Sequence, residues 1–283
     1  MTAIYRTEDG GRRIRERYVQ TLRTWPVPYE HRRVPTREGE TFVVVSGPED
    51  APPLVLLHGS GTNAAMWVAE VASWAGHFRV HAVDMIGEPG LSAPSRPPLD
   101  SEAYALWLDD VLRELGVSRA SVVGASLGGW LALDYATRRP DRVECLALLC
   151  PAGIGRQKWG WVPKAVLLNR FGLWGQRKTL ETVAGLDMPG SEEFLEGMAL
   201  TFRQFLPRKR LPVFSDDTLR KLTMPVLAVV GDRDAMLDSQ DTVRRLNETV
   251  PHATVRLLPG VGHSVVGQSE VVLAHLRRTS ATQ

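Results

Sequence analysis

A chain of 283 residues is long enough for one large core, or for a core with a smaller insertion, and demands no second independent domain. With 43% hydrophobic and 23% charged residues it falls outside the low-hydrophobicity, high-charge class of disordered chains. Its 34 Lys plus Arg against 32 Asp plus Glu leave a net charge of +2, which favours neither nucleic acid nor an anionic membrane surface.

Residues 1–10 hold no apolar run of the signal-peptide kind, and no later stretch reaches the ~18 apolar residues of a membrane helix, so a cytoplasmic chain is expected. A helix is predicted over 11–24, with Ile14, Tyr18 and Leu22 at helical spacing and Arg12, Arg13, Arg15 and Arg17 on its solvated face. Pro26 and Pro28 follow, and 31–36 with 41–46 read as a hairpin around the turn Arg37-Glu38-Gly39-Glu40. From there short apolar runs alternate with helical segments, the pattern of an α/β fold whose mostly parallel sheet carries helices on both faces. Strands are predicted at 54–57, 80–83, 120–124, 143–149, 224–230 and 254–258, and helices at 63–76, 101–115, 126–138, 239–250 and 265–278. The two cysteines, Cys145 and Cys150, fall on one predicted strand about 16 Å apart at ~3.3 Å per residue, too far to pair. No Cys/His cluster has zinc-ligand spacing, so neither a metal nor a disulfide scaffold is expected. The stretch 152–215 exceeds an ordinary αβ link and carries Trp159, Trp161, Phe171, Trp174, Phe202 and Phe205. It reads as a helical cap inserted into a core formed by 1–151 and 216–283, with most of its rings packing cap onto core.

Four segments carry chemistry. Gly124-Ala125-Ser126-Leu127-Gly128-Gly129 is a G-x-S-x-G sequence between a predicted strand and a predicted helix, the setting in which a strained serine is presented as a nucleophile. The helix N-terminus favours negative charge, and the free amide of Leu127 points toward a developing oxyanion. His58-Gly59-Ser60-Gly61, at the end of the strand 54–57, supplies a second backbone donor, for which the Ser60 amide is the candidate; His58 itself reads as a structural histidine within the turn. His263, in Pro259-Gly260-Val261-Gly262-His263, is the candidate base, because an imidazole titrates near working pH and His31, His77, His81, His252 and His275 lack its strand-end, glycine-flanked place. The acid is sought after the strand 224–230, where Asp232 and Asp234 compete. Asp234 is favoured, since Asp232 follows Gly231 as a turn former able to pair with Arg233. Asp84, at another strand end, is the weaker choice, and Asp238 reads as a helix N-cap. The chain order Ser126, Asp234, His263 is that of α/β-hydrolases and differs from the chymotrypsin and subtilisin orders.

On these residues the chain resembles the α/β-hydrolase superfamily from His31 to its last helix. Within it, Trp25-Pro26-Val27-Pro28-Tyr29-Glu30, the turn 36–41, Asp84-Met85-Ile86-Gly87 and the Ser126 motif resemble bacterial carboxylesterases of the naproxen-esterase type. The resemblance implies hydrolysis of carboxylic esters by Ser126, His263 and Asp234 through an acyl-enzyme, with no cofactor; the aromatic residues of 152–215 point to a small, apolar ester as substrate. Gly87-Glu88-Pro89-Gly90 departs from the plainer Gly-x-Gly of many relatives and alters the rim of the pocket. The same three residues also serve hydrolases of C–C, lactone or thioester bonds and biosynthetic enzymes on this fold, and a small-molecule receptor can retain the fold without the chemistry. Oligomeric state is left open.

Overall fold

The computed structural model describes residues 4–185, 192–208 and 210–280. Positions 186–191 and 209 of the expected cap, and 1–3 of the leading stretch, lie outside the described residues. The first helix, α1 (Glu8–Leu22), starts earlier than the apolar spacing predicts, because the Thr7 hydroxyl accepts the Gly10 amide and sets the N-cap. Its face of Ile14, Tyr18 and Leu22 is buried, while Arg12, Arg13 and Arg15 are exposed. The hairpin β1 (Tyr29–Thr36) and β2 (Gly39–Ser46) follows, then β3 (Pro53–Leu57).

The single helix expected over 63–76 is instead a 3-10 turn, Ala64–Trp67, continued by α2 (Val68–Trp74). Two local bonds break the register: the Asn63 side chain caps the Ala65 amide, and the Ala64 amide donates to buried Asp84. Next come β4 (Arg79–Val83), α3 (Ala103–Glu114), β5 (Ala120–Ala125), α4 (Leu127–Arg138) and β6 (Val143–Leu149). An insertion holds α5 (Val162–Leu168), α6 (Gly172–Thr179) and α7 (Glu192–Gln204). The chain closes with α8 (Asp216–Leu219), β7 (Val226–Gly231), α9 (Ser239–Thr249), β8 (Thr254–Leu258) and α10 (Ser269–Ser280). The last helix begins four residues later than predicted, since Gly267 takes φ +71°, outside the helical region.

The eight strands form one sheet in the order β1-β2-β4-β3-β5-β6-β7-β8, antiparallel through β1, β2 and β4 and parallel from β4 to β8. Side chains alternate between two apolar layers. Val43, Val45, Val55 and Leu57 face α3, α4 and α9, whereas Phe42, Val44, Leu54 and Leu56 face α1, α2 and α10. Burial on both faces is why the inner strands read as unbroken apolar runs, each such Val or Leu contributing about 1.5–3 kcal/mol. The edges are blunted by charge: Arg32 and Arg33 on β1 and Arg256 on β8 are exposed. Cys145 lies within β6 and Cys150 one residue past it, both buried and neither in a disulfide. Among the described residues no helix is long and apolar enough to cross a membrane.

The ends of the insertion are laced to the loop after β7 and to each other. Lys158 donates from its amide to Met236, Asp238 to Arg156, and Phe214 to Gly153. The expectation that most aromatic rings of this segment pack inward is not met: Trp159, Phe171, Trp174 and Phe202 are 47–60% exposed, and of the six only Phe205 is fully buried. The inward positions are taken by Ala165, Leu180, Val183, Ala199 and Leu200, so the short helices turn their rings outward.

Candidate active site

The site is assembled at the carboxyl ends of β3, β5, β7 and β8. Ser126 sits between the end of β5 and the first residue of α4 with φ 50° and ψ −110°, a conformation rare for a residue with a Cβ. The chain is pinned there, because the Ser126 amide donates to Leu149 and its carbonyl accepts the Trp130 and Ala152 amides. Both glycines of the motif are sterically required. A Cβ on Gly124 would lie 2.4 Å from the Gly128 carbonyl oxygen, and one on Gly128 would lie 2.0 Å from that of Leu57.

His263 Nε2 lies 3.0 Å from Ser126 Oγ, and His263 Nδ1 lies 2.7 Å from Asp234 Oδ2. The other carboxylate oxygen of Asp234 accepts the amides of Met236 at 2.7 Å and Leu237 at 3.0 Å. Burial works to raise the pKa of Asp234, but the His263 imidazole and the Leu237 and Met236 amides outweigh it and hold the carboxyl below its ordinary value. An ionised, buried carboxylate on Nδ1 leaves Nε2 free to take the proton of a serine hydroxyl. The loops that carry these two residues are sewn together: Asp232 donates its amide to Leu258 at 3.0 Å and Arg233 to Val261 at 2.9 Å. Asp232 does not pair with Arg233 as expected. Its carboxylate accepts the Gly260 amide at 2.7 Å and braces the loop that ends in His263.

The loop after β3 leaves one amide over. Gly59 donates to Met66 Sδ at 3.4 Å, Gly61 to Glu88 Oε2 at 2.7 Å and Thr62 to the Gly59 carbonyl at 3.3 Å. Among the described residues the Ser60 amide has no protein acceptor, and neither does that of Leu127 at the start of α4. A Cβ on Gly59 would be 3.7 Å from that of Ser126, which places this loop beside the serine.

His58 is fully buried, with Nδ1 at 2.9 Å from the Gly59 carbonyl and Nε2 accepting the Met85 amide at 3.0 Å. Burial pushes its pKa down to about 4, so it is a neutral brace of the turn. Asp84 is committed elsewhere: it accepts the Tyr18 hydroxyl and the Ala64 and Leu91 amides, each at 2.8 Å. Burial lifts its pKa to about 6 against those donors. Asp238 caps α9 through the Asp241 amide at 3.1 Å.

Two residues at the site carry no role in the sequence reading. Cys150, at φ 42°, brings its thiol within 4.8 Å of the Asp234 carboxylate and the His263 ring. Burial, with the Asp234 charge behind it, pushes that thiol up to about 12, which leaves it protonated. Glu88 is only 2% exposed and also accepts the Ser60 hydroxyl at 3.1 Å. Burial raises its pKa to about 7, while the Gly61 amide, Arg96, the Ser60 hydroxyl and Arg208 draw it back. The departure at 87–90 is visible in sequence, but nothing there says which way the carboxylate points.

A family model described as the alpha/beta hydrolase family matches residues 54–275. The uncharacterized carboxylesterase nap of Bacillus subtilis (strain 168) is 30% identical over 93% of this chain and 90% of its own length. Carboxylesterase YbfK of the same organism is 31% identical over 90% of this chain and 88% of its own. The crystal structure of naproxen esterase from Bacillus subtilis superposes with a TM-score of 0.81 at 29% identity, covering 98% of this chain and 99% of that one.

Proposed function

The chain belongs to the alpha/beta hydrolase family, and on that premise we propose that it hydrolyses small carboxylic esters with Ser126 as nucleophile, His263 as base and Asp234 as the acid that orients it. The observation that carries this reading is the continuous relay from Ser126 Oγ to His263 Nε2 at 3.0 Å and from His263 Nδ1 to Asp234 Oδ2 at 2.7 Å. Ser126 Oγ adds to the ester carbonyl while its proton passes to His263 Nε2, and Asp234 stabilises the imidazolium. The tetrahedral oxyanion rests on the amides of Ser60 and Leu127, aided by the positive end of α4. Collapse breaks the bond to the alkoxy oxygen, which leaves with the proton from His263. Water then gives a proton to the same imidazole, adds to the acyl-enzyme and releases the acid with Ser126 restored. Residues 152–215 act as the cap over the bound ester, laced to the loop after β7 at one end.

Wild-type protein is expected to hydrolyse short p-nitrophenyl esters and to be labelled at Ser126 by a fluorophosphonate, with Ser126→Ala losing at least ~10⁴-fold in kcat. Retention of activity by Ser126→Ala, beside an active wild type, would refute the assignment.

A further inference from the structure

Glu88 stands in the turn after β4, and that turn is itself fixed. Its amide donates to Met85 at 3.3 Å, the Gly90 amide returns to its carbonyl at 2.8 Å, and Asn63 Nδ2 donates to Pro89 at 3.0 Å. From this backbone one carboxylate oxygen reaches two consecutive residues of the loop after β3, the Gly61 amide at 2.7 Å and the Ser60 hydroxyl at 3.1 Å. Resting on the esterase reading above, we propose that Glu88 is a positioning residue for the oxyanion hole, which ties down Ser60–Gly61 so that the Ser60 amide faces the reacting carbonyl.

The loop contains Gly59 and Gly61, the latter at φ +75°, so its conformation is weakly held by sterics and must be held by bonds. The peptide group is planar, so the bond from the Gly61 N–H to Glu88 orients the Ser60–Gly61 peptide. The Ser60 N–H lies on the preceding peptide, whose Gly59 carbonyl accepts the Thr62 hydroxyl at 2.7 Å, and Glu88 fixes the residue between the two planes by holding the Ser60 hydroxyl as well. With the Gly59, Gly61 and Thr62 amides engaged, the Ser60 amide is the donor left to the substrate. Two donors converging on one oxygen need an acceptor with two lone pairs at this reach, which a Glu carboxylate oxygen supplies and a Gln amide oxygen of the same length can replace. A negative charge so near a developing oxyanion would oppose it, and the fold answers with cations. Arg96 donates Nε to the Gly87 carbonyl at 2.9 Å and lies 5.1 Å from the centre of the Phe205 ring, which packs beside Gly61, and both Arg96 and Arg208 draw Glu88 toward its ionised form.

The test compares three variants on a p-nitrophenyl ester, with inhibition by an alkyl boronic acid, whose tetrahedral adduct on Ser126 occupies the oxyanion hole, as second readout. Glu88→Ala should lower kcat about 10- to 100-fold, short of the loss of a whole donor, with KM within about threefold. Boronate affinity should fall by the same factor as kcat/KM, whereas a merely structural role would leave the two uncoupled. Glu88→Gln keeps the length and an acceptor for Gly61 and should return to within about threefold of wild type. Glu88→Asp keeps the charge but falls a methylene short, and should stay near the alanine variant. The proposal is overturned if Glu88→Ala stays within twofold of wild type in kcat and boronate affinity, or if Glu88→Gln is no better than Glu88→Asp. Should Glu88→Ala not fold, the Gln and Asp comparison decides. A wild type without esterase activity would sink the esterase reading and this proposal together, while an active wild type silenced by Ser126→Ala confines any failure to Glu88.

Discussion

The Asp234 carboxylate has one oxygen on His263 and the other on the Met236 and Leu237 amides, so its place does not depend on the imidazole alone. Asn at this position has the same shape but can present its amide group to Nδ1, and the imidazole then carries its proton on Nε2, where the serine proton must go. Asp234→Asn is therefore expected to lower kcat by ~10⁴-fold while leaving the fold and KM nearly unchanged. Steady-state kinetics with a thermal melt check this, and a variant within tenfold of wild type would show that the carboxylate is not the partner that matters. Asp232, the rival two residues earlier, is engaged at Gly260, so its loss should loosen the loop of His263 without replacing the proton relay.

Between elements, the two ends of the insertion are fastened to α9 by one side chain. Arg245, 8% exposed, donates to the carbonyls of Ile154 and Phe214 and to Asp216, bridging the start of the insertion, its return and the residue that opens α8. Arg245→Met keeps the stem's bulk but leaves the buried Ile154 carbonyl and the half-buried Phe214 carbonyl without their donor, at an expected cost of about 1–3 kcal/mol. Urea unfolding measures that loss, and limited proteolysis should cut the insertion faster than in wild type. Unchanged cutting would mean that the bonds from Lys158 and Asp238 suffice to hold it. The outward rings Phe171 and Trp174, in edge contact at 6.2 Å, belong to this same unit and explain why aromatic content alone misjudges its packing.

For the molecule as a whole, stability against acid depends on histidines buried without charge. His58 has a folded pKa of about 4 against an ordinary 6.5, so the unfolded chain binds the proton more readily. The sign follows: this contribution is complete above pH 6.5 and is lost as pH falls toward 4. Asp84, raised to about 6, and Glu88, raised to about 7, act in the opposite sense, adding stability at low pH that is lost as pH rises through those values. A His58→Gln comparison isolates the first effect: the unfolding free energy of wild type relative to the variant should be about 2–3 kcal/mol greater at pH 7 than at pH 4.5. An equal difference at the two pH values would mean that His58 is not buried neutral. Much of this architecture is legible in the chain. Short apolar runs alternating with helical segments gave the parallel strands, helical spacing gave the buried face of α1, and the order of Ser126, Asp234 and His263 named the candidate triad, because periodicity and turn chemistry are properties of neighbouring residues. What tertiary structure alone decided is which polar groups meet: that Asp232 turns to Gly260 and Asp234 to His263, that Glu88 reaches the Ser60–Gly61 peptide, and that Trp174 faces outward. Those contacts join segments tens of residues apart through strand register and loop direction, and no local pattern in the sequence encodes a side chain's heading across such a gap.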